Sequence, residues 1–479
     1  MRFTQQHIIH GSLYALSALG CWIMCAMLEV NPIRGDEFLS YLHSDPRWTY
    51  AEIIRHIQGG ADNSYVHAVI LRWAFGAFGH TIVVQRAVSL VAWLVGVLLL
   101  YGVIKKNNNK GFNSFLLVCT GFSNIGFFLA TDGRFYALLF LLATASLYIY
   151  LNRLRWSILV STVLFTIVQL LGLLTSANFI VFQFLFAGAM MGMFLFEHNR
   201  ARVLDAGMWV GSIVVAATVY FSFCKIPYFH SYFLSGFFTE VPIRMEDLKT
   251  FASIPFRWLM LPHIPYGSDV ADVLLFVLMA GAFAGYHRKA IVTGIKSATA
   301  KSRFIGLMAI GLLVGLGVQL FLYCVNGFPL WESRYYAAVF FVVPAALLLL
   351  LSDVFTIKIL LVCCCLWLTR LAVVEYPKIG ERKETLGVIA QRHVEILSQP
   401  KPVLFAEQMQ NHQSSLFVLM GNLYIRYPET RGKLFLMSDP TVVERAAYFK
   451  RLSDWHYPMG LVFTADSSLY YKIETEMNP

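Results

Sequence analysis

Long apolar runs separated by short polar segments occupy most of the first 375 residues. An α-helix of about 20 apolar residues crosses a hydrocarbon core about 30 Å thick. The runs therefore predict about eleven transmembrane helices, near residues 8–28, 82–104, 112–130, 135–151, 156–174, 177–196, 208–224, 270–286, 304–324, 336–351 and 355–374.

The composition agrees with this pattern. Hydrophobic residues make up 57% of the 479 residues, charged residues only 14%, and the mean hydropathy is +0.61. Soluble domains are about one quarter charged. The sequence therefore predicts an α-helical polytopic membrane protein embedded in a lipid bilayer.

Positive charge is unevenly distributed among the loops. Lys and Arg gather in alternate loops, such as "KKNNNK" and "HRKAIVTGIKSATAKSR", whereas most loop acids lie in the other set. Cationic loops remain in the cytoplasm, so we predict the N-terminus inside and the C-terminus outside. This asymmetry largely explains the net charge of +10, and we therefore expect no nucleic-acid partner.

Three sizeable segments are predicted on the outer side. The first, residues 29–81, includes "WTYAEIIRHI", whose apolar residues recur at helical spacing and predict a helix in the membrane interface. "ADNSYVHAVILRWAFGAFG" predicts a second interfacial or re-entrant helix. The second segment, 225–269, is rich in aromatic residues, which favour the headgroup level. They could anchor the chain or form a lipid-binding groove.

The third outer segment, 376–479, has the composition of a soluble domain. Strand-like runs "PVLFA", "KLFLM" and "GLVFTA" alternate with helical patterns around "SSLFVLMGNLYI" and "DPTVVERAAYFKRL". This alternation predicts a small α/β domain with a parallel sheet. We thus predict a transmembrane domain at 1–375 and an extracytoplasmic α/β domain at 376–479, to which no chemistry is assigned.

Candidate chemistry lies where helices meet the outer side. Asp36 and Glu37 follow the first span in "NPIRGDEFLSYL". Two further outer helix ends carry an Arg and a Tyr each: Arg134 with Tyr136, and Arg334 with Tyr335. The simpler interpretations are solvated loop acids, arginines that reach for headgroups and tyrosines of the aromatic belt.

Three further ionisable residues, His67, Arg72 and Arg86, lie within apolar runs. Ionisable groups at such depth are rarely without a partner. We expect them to satisfy buried partners, with either a structural role or a substrate contact.

The order of these motifs resembles the polytopic GT-C glycosyltransferases, in particular the bacterial relatives of protein O-mannosyltransferases and the transferases of lipopolysaccharide-core sugars. The resemblance runs from about residue 28 to 351, through the outer Asp-Glu pair, "DGRFYALLFLL" and "ESRYYAAVFFVVPA". The chain departs from the family at 62–69, where "DNSYVHAV" replaces an acid, a proline pair and Leu-Tyr. That departure puts the role of Asp62 in question.

The resemblance implies transfer of a sugar from a polyprenyl-phosphate donor to an acceptor hydroxyl, at the outer face of the cell membrane. It implies that Asp36 is the base and that Arg334, then Arg134 and Lys225, contact the donor phosphate. Glu37 and Asp62 would hold a divalent metal ion or steer the acceptor, and Tyr136 and Tyr335 would contact substrate. The acceptor, whether glycan, lipid or protein, stays open. The alternative is a non-catalytic transporter or flippase of lipid-linked sugars.

Overall fold

The computed structural model describes residues 2–59, 64–105, 121, 123–197, 200–223, 248, 251, 299–326, 336–351, 365, 368–369, 371–401, 403–405, 415–437, 460–462 and 471–473. Among these, the chain forms two compact units. The first comprises Met1–Met24, Ala61–His67 and Ser89–Val374, and the second comprises Cys25–Gly60, Ala68–Val88 and Glu375–Pro479.

The helices follow the apolar pattern closely. In chain order they are α1 Arg2–Val30, α2 Gly35–His43, α3 Tyr50–Gly59, α4 Tyr65–Phe78, α5 Ile82–Ile104, α6 Asn124–Thr131, α7 Tyr136–Leu151, α8 Ile158–Thr175, α9 Phe179–Glu197, α10 Arg200–Phe223, α11 Ala300–Asn326, α12 Val342–Leu351, α13 Pro377–Ser398 and α14 Ser415–Arg426. Short 3₁₀ turns lie at Arg153–Arg155 and Pro428–Lys433, and a π-helical turn lies at Leu371–Glu375.

Several of these helices can cross a membrane. Within the described residues, five are long and apolar enough: Gly11–Val30, Ile82–Ile104, Ile158–Thr175, Ala206–Phe223 and Ala300–Val325. The bent pair Ile125–Thr131 and Tyr136–Leu151 would make a sixth, and Phe179–Leu195 is a shorter apolar helix. The prediction of a polytopic helical membrane protein is confirmed. The count of eleven and the orientation stay predictions, and the predicted span 270–286 lies outside the described residues.

Both helices predicted between the first two spans are present. In α3, Ile53 and Ile57 are buried whereas Glu52 and Arg55 are exposed, as expected of an amphipathic helix. The helix predicted from "YVHAVILRWAFGAF" is α4.

Aromatic side chains from four helices pack together in the first unit. The ring of Tyr150, in α7, lies 5.1 Å from Phe186 of α9, 5.4 Å from Trp209 of α10 and 4.8 Å from Phe304 of α11. Tilted and edge-to-face pairs at such distances add to the apolar area they bury. This cluster, which we call the aromatic cluster, therefore packs the four helices against one another.

The second unit contains a parallel sheet. Its strands are β1 Val403–Phe405, β2 Leu434–Met437, β3 Gly460–Val462 and β4 Tyr471–Ile473, in the order β3-β2-β1-β4. Val403 is paired with Leu434 on one side and Tyr471 on the other. The first three strands and α14 occupy runs that the sequence predicted; α13 and β4 were not predicted. The helix predicted around Asp439 lies outside the described residues, and the boundary at 375/376 stays a prediction.

One apolar core joins distant parts of the chain in this second unit. It combines side chains of residues 33–82 with side chains of residues 389–434, namely Ile33, Phe38, Tyr41, Leu42, Leu71, Phe75 and Ile82 with Ile389, Ile396, Val403, Leu419, Met420, Leu423, Tyr424, Ile425 and Leu434. The helix that carries Asp36 and Glu37 thus packs on the C-terminal segment.

Candidate active site around Asp36 and Glu37

Asp36 and Glu37 lie in the first turn of α2. Arg34, just before the helix, is extended (φ −85°, ψ 156°), and its backbone N–H donates to Oε2 of Glu37 at 3.3 Å. A glutamate at the third helical position that accepts from the N-cap backbone is half of a capping box. This bond fixes where the helix begins. Asp36, the residue before Glu37, therefore lies in the first turn.

Glu37 forms a buried ion pair with Arg86 of α5. Nε of Arg86 lies 2.6 Å from Oε1 of Glu37, and Nη2 lies 2.7 Å from Oε2. Only 1% of the Arg86 side chain and 2% of the Glu37 side chain are exposed. Bidentate contacts of this kind are the strong form of the Arg-carboxylate interaction.

The other N–H groups of Arg86 donate to backbone carbonyls. Nη1 donates to Leu28 at 2.9 Å and to Asn31 at 2.8 Å, and Nη2 donates to Pro32 at 3.2 Å. With the two bonds to Glu37, these contacts employ all five donors of a guanidinium. The prediction that Arg86 satisfies buried partners is confirmed.

The carbonyls that Arg86 contacts belong to the end of α1 and the turn after it. The last carbonyls of a helix have no partner within the helix, and cations stabilise its negative end. Arg426 of α14 adds to this by donating from Nη2 to Glu29 O at 2.7 Å and to Asn31 O at 2.9 Å. Arg382 of α13 donates to the side chain of Asn31. Arg86 and Arg426 thus cap the end of α1, and Arg382 binds the side chain of the residue that follows it.

Asn422 of α14 holds the turn directly. Its Oδ1 accepts from Ile33 N at 3.0 Å, and its Nδ2 donates to Ile33 O at 3.1 Å. Both residues are fully buried. We call Asn422, Arg426, Arg382 and Arg86 the turn clamp, because together they bind residues 28–33, which lead into α2.

Close packing accompanies these hydrogen bonds. A Cβ at Gly421 would lie 3.2 Å from Cγ of Phe38, and the rings of Phe38 and Tyr424 meet edge to face at 5.5 Å. A larger residue than glycine at 421 would push against the helix that bears Asp36.

Burial and the nearby Arg86 cation lower the pKa of the other two arginines of the turn clamp. Burial lowers the pKa of Arg426, and the nearby Arg86 cation lowers it further. Burial likewise lowers the pKa of Arg382, with Arg34 acting in the same direction. Nearby carboxylates act on the pKa in the opposite direction, Glu37 on that of Arg426 and Glu375 on that of Arg382.

Tyr41, on the same helix as Asp36, stacks on His80. The rings are 3.9 Å apart and nearly parallel, and the Tyr41 hydroxyl donates to His80 O at 2.7 Å. Burial raises the pKa of Tyr41 to about 12 and lowers that of His80. Burial also acts to raise the pKa of Asp45, but hydrogen bonds from Arg47 outweigh it and bring the pKa below its usual value.

The other two deep residues differ in their surroundings. Arg72 donates from Nε to Trp48 O at 2.6 Å and lies 4.3 Å from the centre of the Tyr50 ring. Arg72 thus has partners, but they are half-buried or exposed rather than buried as expected. His67 is buried, with its ring 6.4 Å from that of Phe135.

In the first unit, Arg134 and Tyr136 lie at a sharp corner. The helices Ile125–Thr131 and Tyr136–Leu151 meet there at 113°. The Arg134 guanidinium is 4.9 Å from the Phe135 ring centre and 5.8 Å from that of Tyr136, which is buried. The Arg134 carbonyl accepts from Ser89 Oγ at 3.1 Å. Stacking on two aromatic rings restrains the guanidinium at this corner.

Four predicted site residues, Asp62, Lys225, Arg334 and Tyr335, lie outside the described residues. Their roles stay predictions. The residue after Tyr335, Tyr336, is buried and donates from its hydroxyl to the side chain of Gln319.

The residues present at Glu37 do not suit a metal ion. Both carboxylate oxygens accept from Arg86, whose positive charge would repel a divalent cation. Among the residues that the structure describes, no group of three or more His, Cys, Asp or Glu side chains is placed to bind a metal. A metal site that includes Asp62 stays a prediction.

Comparison with solved structures identified a chain of similar fold. No protein-family model matches the chain, and no curated protein matches it in sequence. The chain is similar in fold to the crystal structure of ArnT from Cupriavidus metallidurans bound to undecaprenyl phosphate, with a TM-score of 0.46 and 13% sequence identity. The similarity covers 94% of this chain and 89% of that chain.

Sequence reasoning found part of this site. Arg86 was marked as a lone arginine in an apolar run, but its partner Glu37 was assigned a different role. Arg382 lies on α13, whose buried Ile379, Ile389 and Ile396 give a helical signal after the proline at its start. Nothing in "GNLYIR" indicates that Asn422 and Arg426 bind a turn about 390 residues earlier in the chain.

Proposed function

We propose that this protein is a GT-C-like membrane glycosyltransferase with about eleven spans, its N-terminus inside and its C-terminal α/β domain outside. It moves a sugar from a polyprenyl-phosphate donor to the hydroxyl of a glycan, lipid or protein acceptor at the outer face of the cell membrane. The proposal rests on the sequence resemblance and on the position of Asp36.

The turn clamp is the observation that carries the proposal. Asp36 lies in the first turn of α2. The N–H of Arg34, just before this helix, is bonded to Glu37, and Glu37 is paired with Arg86. Asn422 holds the turn that precedes the helix. A general base must be held within hydrogen-bond reach of the proton it removes. Three arginines, of which Arg86 is buried, and the buried Asn422 hold this one turn, which is more than a simple connecting loop requires.

The two acids then have different roles. Glu37, neutralised by Arg86, fixes the helix, while Asp36 acts as the base. Asp36 takes the proton of the acceptor hydroxyl as that oxygen forms a bond to the anomeric carbon. The bond from this carbon to the donor phosphate breaks, and its electron pair leaves with the polyprenyl phosphate. A single displacement inverts the anomeric centre.

Cations stabilise the phosphate that leaves, since negative charge grows on it in the transition state. We assign this role to Arg334 first, then to Arg134, with Lys225 third. Asp62, Tyr136 and Tyr335 contact the substrates. No step is assigned to a metal ion, because Arg86 occupies both oxygens of Glu37.

The test is an assay of the purified protein in nanodiscs with a panel of radiolabelled polyprenyl-phosphate sugars. We expect release of free polyprenyl phosphate with one sugar when membrane extract supplies the acceptor. Asp36→Asn should reduce the release by at least about 10²-fold, the lower end of what a general base contributes. Its thermal unfolding should stay unchanged, because the replacement is nearly isosteric.

Two outcomes contradict the proposal in different ways. Full activity of Asp36→Asn removes Asp36 as the base. Failure to release polyprenyl phosphate with any donor, while labelled donor still crosses vesicle membranes, assigns the protein to the flippases of lipid-linked sugars.

A further inference from the structure

A cavity of about 690 Å³ lies in the first unit, beside the aromatic cluster. Its wall is built from the end of α7, the turn before α8, the later part of α9 and the start of α11. The residues that decide its chemistry are Tyr150, Arg153, Met190, Met193, Lys301 and Phe304.

The charged side chains that the structure describes in the lining of this cavity are both basic. Arg153 and Lys301 contribute to the lining, and no described lining side chain is acidic. Nη1 of Arg153 donates to Tyr150 O at 3.0 Å, and the guanidinium lies 4.3 Å from the centre of the Tyr150 ring. The cation is therefore held at the cavity in one orientation.

Two helices also begin at this cavity. α8 starts at Ile158, capped by Ser157, whose hydroxyl accepts from Val160 N at 3.3 Å, and α11 starts at Ala300. The start of a helix carries partial positive charge. The backbone therefore reinforces the preference for an anion that the two side chains establish.

The remaining wall is apolar. Met190 and Met193 of α9 and Phe304 of α11 line it, and the adjoining turn exposes Leu154 almost completely and Trp156 partly. Trp at the level of lipid headgroups beside basic residues is typical of a membrane interface. A cationic group beside an apolar wall is complementary to an amphiphile with an anionic head.

The loops around this cavity are among those that the charge pattern predicts to be cytoplasmic. Basic pockets between transmembrane helices on that side suit anionic lipid headgroups. We propose that this cavity binds an anionic phospholipid, with its phosphate at Arg153 and Lys301 and an acyl chain along Met193 and Phe304. This site is separate from the proposed transferase chemistry and does not depend on it.

The test is native mass spectrometry of the full chain released from nanodiscs that contain equal amounts of phosphatidylglycerol and phosphatidylcholine. We expect the wild-type protein to retain phosphatidylglycerol preferentially. The double variant Arg153→Ala/Lys301→Ala should lose this preference by about tenfold or more, corresponding to about 1.4 kcal/mol or more.

The matched control is Arg155→Ala/Arg303→Ala, which removes the same charge from exposed positions that do not line the cavity. It should retain the preference. Equal loss in both double variants would overturn the site, because general surface charge would then explain binding.

A third variant separates lipid binding from folding. Met193→Trp fills the cavity but keeps both cations, and it should also lose the bound phosphatidylglycerol. Retention by this variant overturns the proposal. Stronger retention of added polyprenyl phosphate than of phosphatidylglycerol by the wild type also overturns it, because the cavity would then belong to the donor lipid.

Discussion

At the scale of single residues, the pairing of Glu37 with Arg86 separates the role of Glu37 from the role of Asp36. A carboxylate that accepts two bonds from a buried guanidinium is held in one position. Glu37 is therefore a structural partner of the helix start, and the catalytic assignment of the Asp-Glu pair is proposed for Asp36. The two acids of the dipeptide are thus assigned different roles.

Removing Arg86 tests this interpretation. Arg86→Ala leaves the Glu37 charge buried without its partner, so we expect the free energy of unfolding to fall by about 3–5 kcal/mol. The measurement is denaturant unfolding in detergent. The control is Arg392→Ala, which breaks the pair with Glu395, in which about a third of each side chain is exposed, and it should cost about 0–1 kcal/mol. Similar losses in both variants would contradict a special role for the buried pair.

Asn422 permits a test of positioning. Asn422→Leu keeps the approximate size but leaves the buried N–H and C=O of Ile33 without their partner, at about 1–3 kcal/mol for each group. We expect kcat for sugar transfer to fall while KM for the donor stays the same, since Asp36 would be misplaced and the donor contacts would remain.

Asn152→Leu is the control, because Asn152 donates only within its own helix end, to Tyr148 O at 2.9 Å. It should leave kcat unchanged. An unchanged kcat in Asn422→Leu, measured on folded protein, would mean that Asn422 does not position Asp36.

At the scale of elements, close approach of helices depends on a few glycines. A Cβ at Gly172 of α8 would lie only 2.4 Å from the ring of Phe179 in α9. In the Gly pairs of "GAMMG" and "GLLVG", one glycine of each pair makes a contact: Gly192 faces Leu307, and Gly311 faces Leu185. One glycine of each motif therefore lies where two helices approach closely.

Gly172→Ala should therefore destabilise the protein. The added methyl must displace an aromatic ring in a packed interior, and we expect a loss of about 1–3 kcal/mol in the free energy of unfolding. Gly188→Ala is the matched control, because a Cβ there meets nothing within 4 Å and alanine favours the helix by about 1 kcal/mol. The prediction fails if both variants unfold at the same temperature.

At the scale of the whole molecule, the second unit depends on contacts between the two ends of the chain. Residues 33–82 supply one half of its apolar core and residues 389–434 supply the other. Ionisable groups from both halves surround His80, among them Asp45, Arg47 and Arg431. The stability of this unit should therefore depend on pH.

The expected direction follows from the lowered pKa values. His80 and Asp45 both bind protons more weakly in the folded state. Their contribution to stability is complete above the ordinary histidine pKa of about 6.5 and is lost as the pH falls through the lowered folded-state pKa of each group. Thermal unfolding should thus shift to lower temperature on acidification from pH 7 to 5.

His80→Gln isolates the histidine part. In this variant the decline should begin only near the ordinary pKa of aspartate, about 3.9, where Asp45 starts to gain protons in the unfolded state. A wild-type midpoint that rises between pH 7 and 5, or an identical profile in His80→Gln, would show that His80 does not control the pH response.

The sequence by itself determined what depends on local pattern. The apolar runs of 82–104, 158–175 and 300–325 became long helices because only a helix satisfies its own backbone in hydrocarbon. Alternation of strand-like and helical segments identified β1, β2, β3 and α14. The single charge within an apolar run indicated that Arg86 has a partner.

Only the tertiary structure decided which partner each residue received. Glu37 and Arg86 are 49 positions apart, and Asn422 binds Ile33 across 389. Contacts at such separation depend on how the elements pack, and the pattern of residues along the chain does not show which distant residues meet. The same dipeptide therefore suggests two catalytic acids in the sequence, whereas the fold places one of them in a buried ion pair.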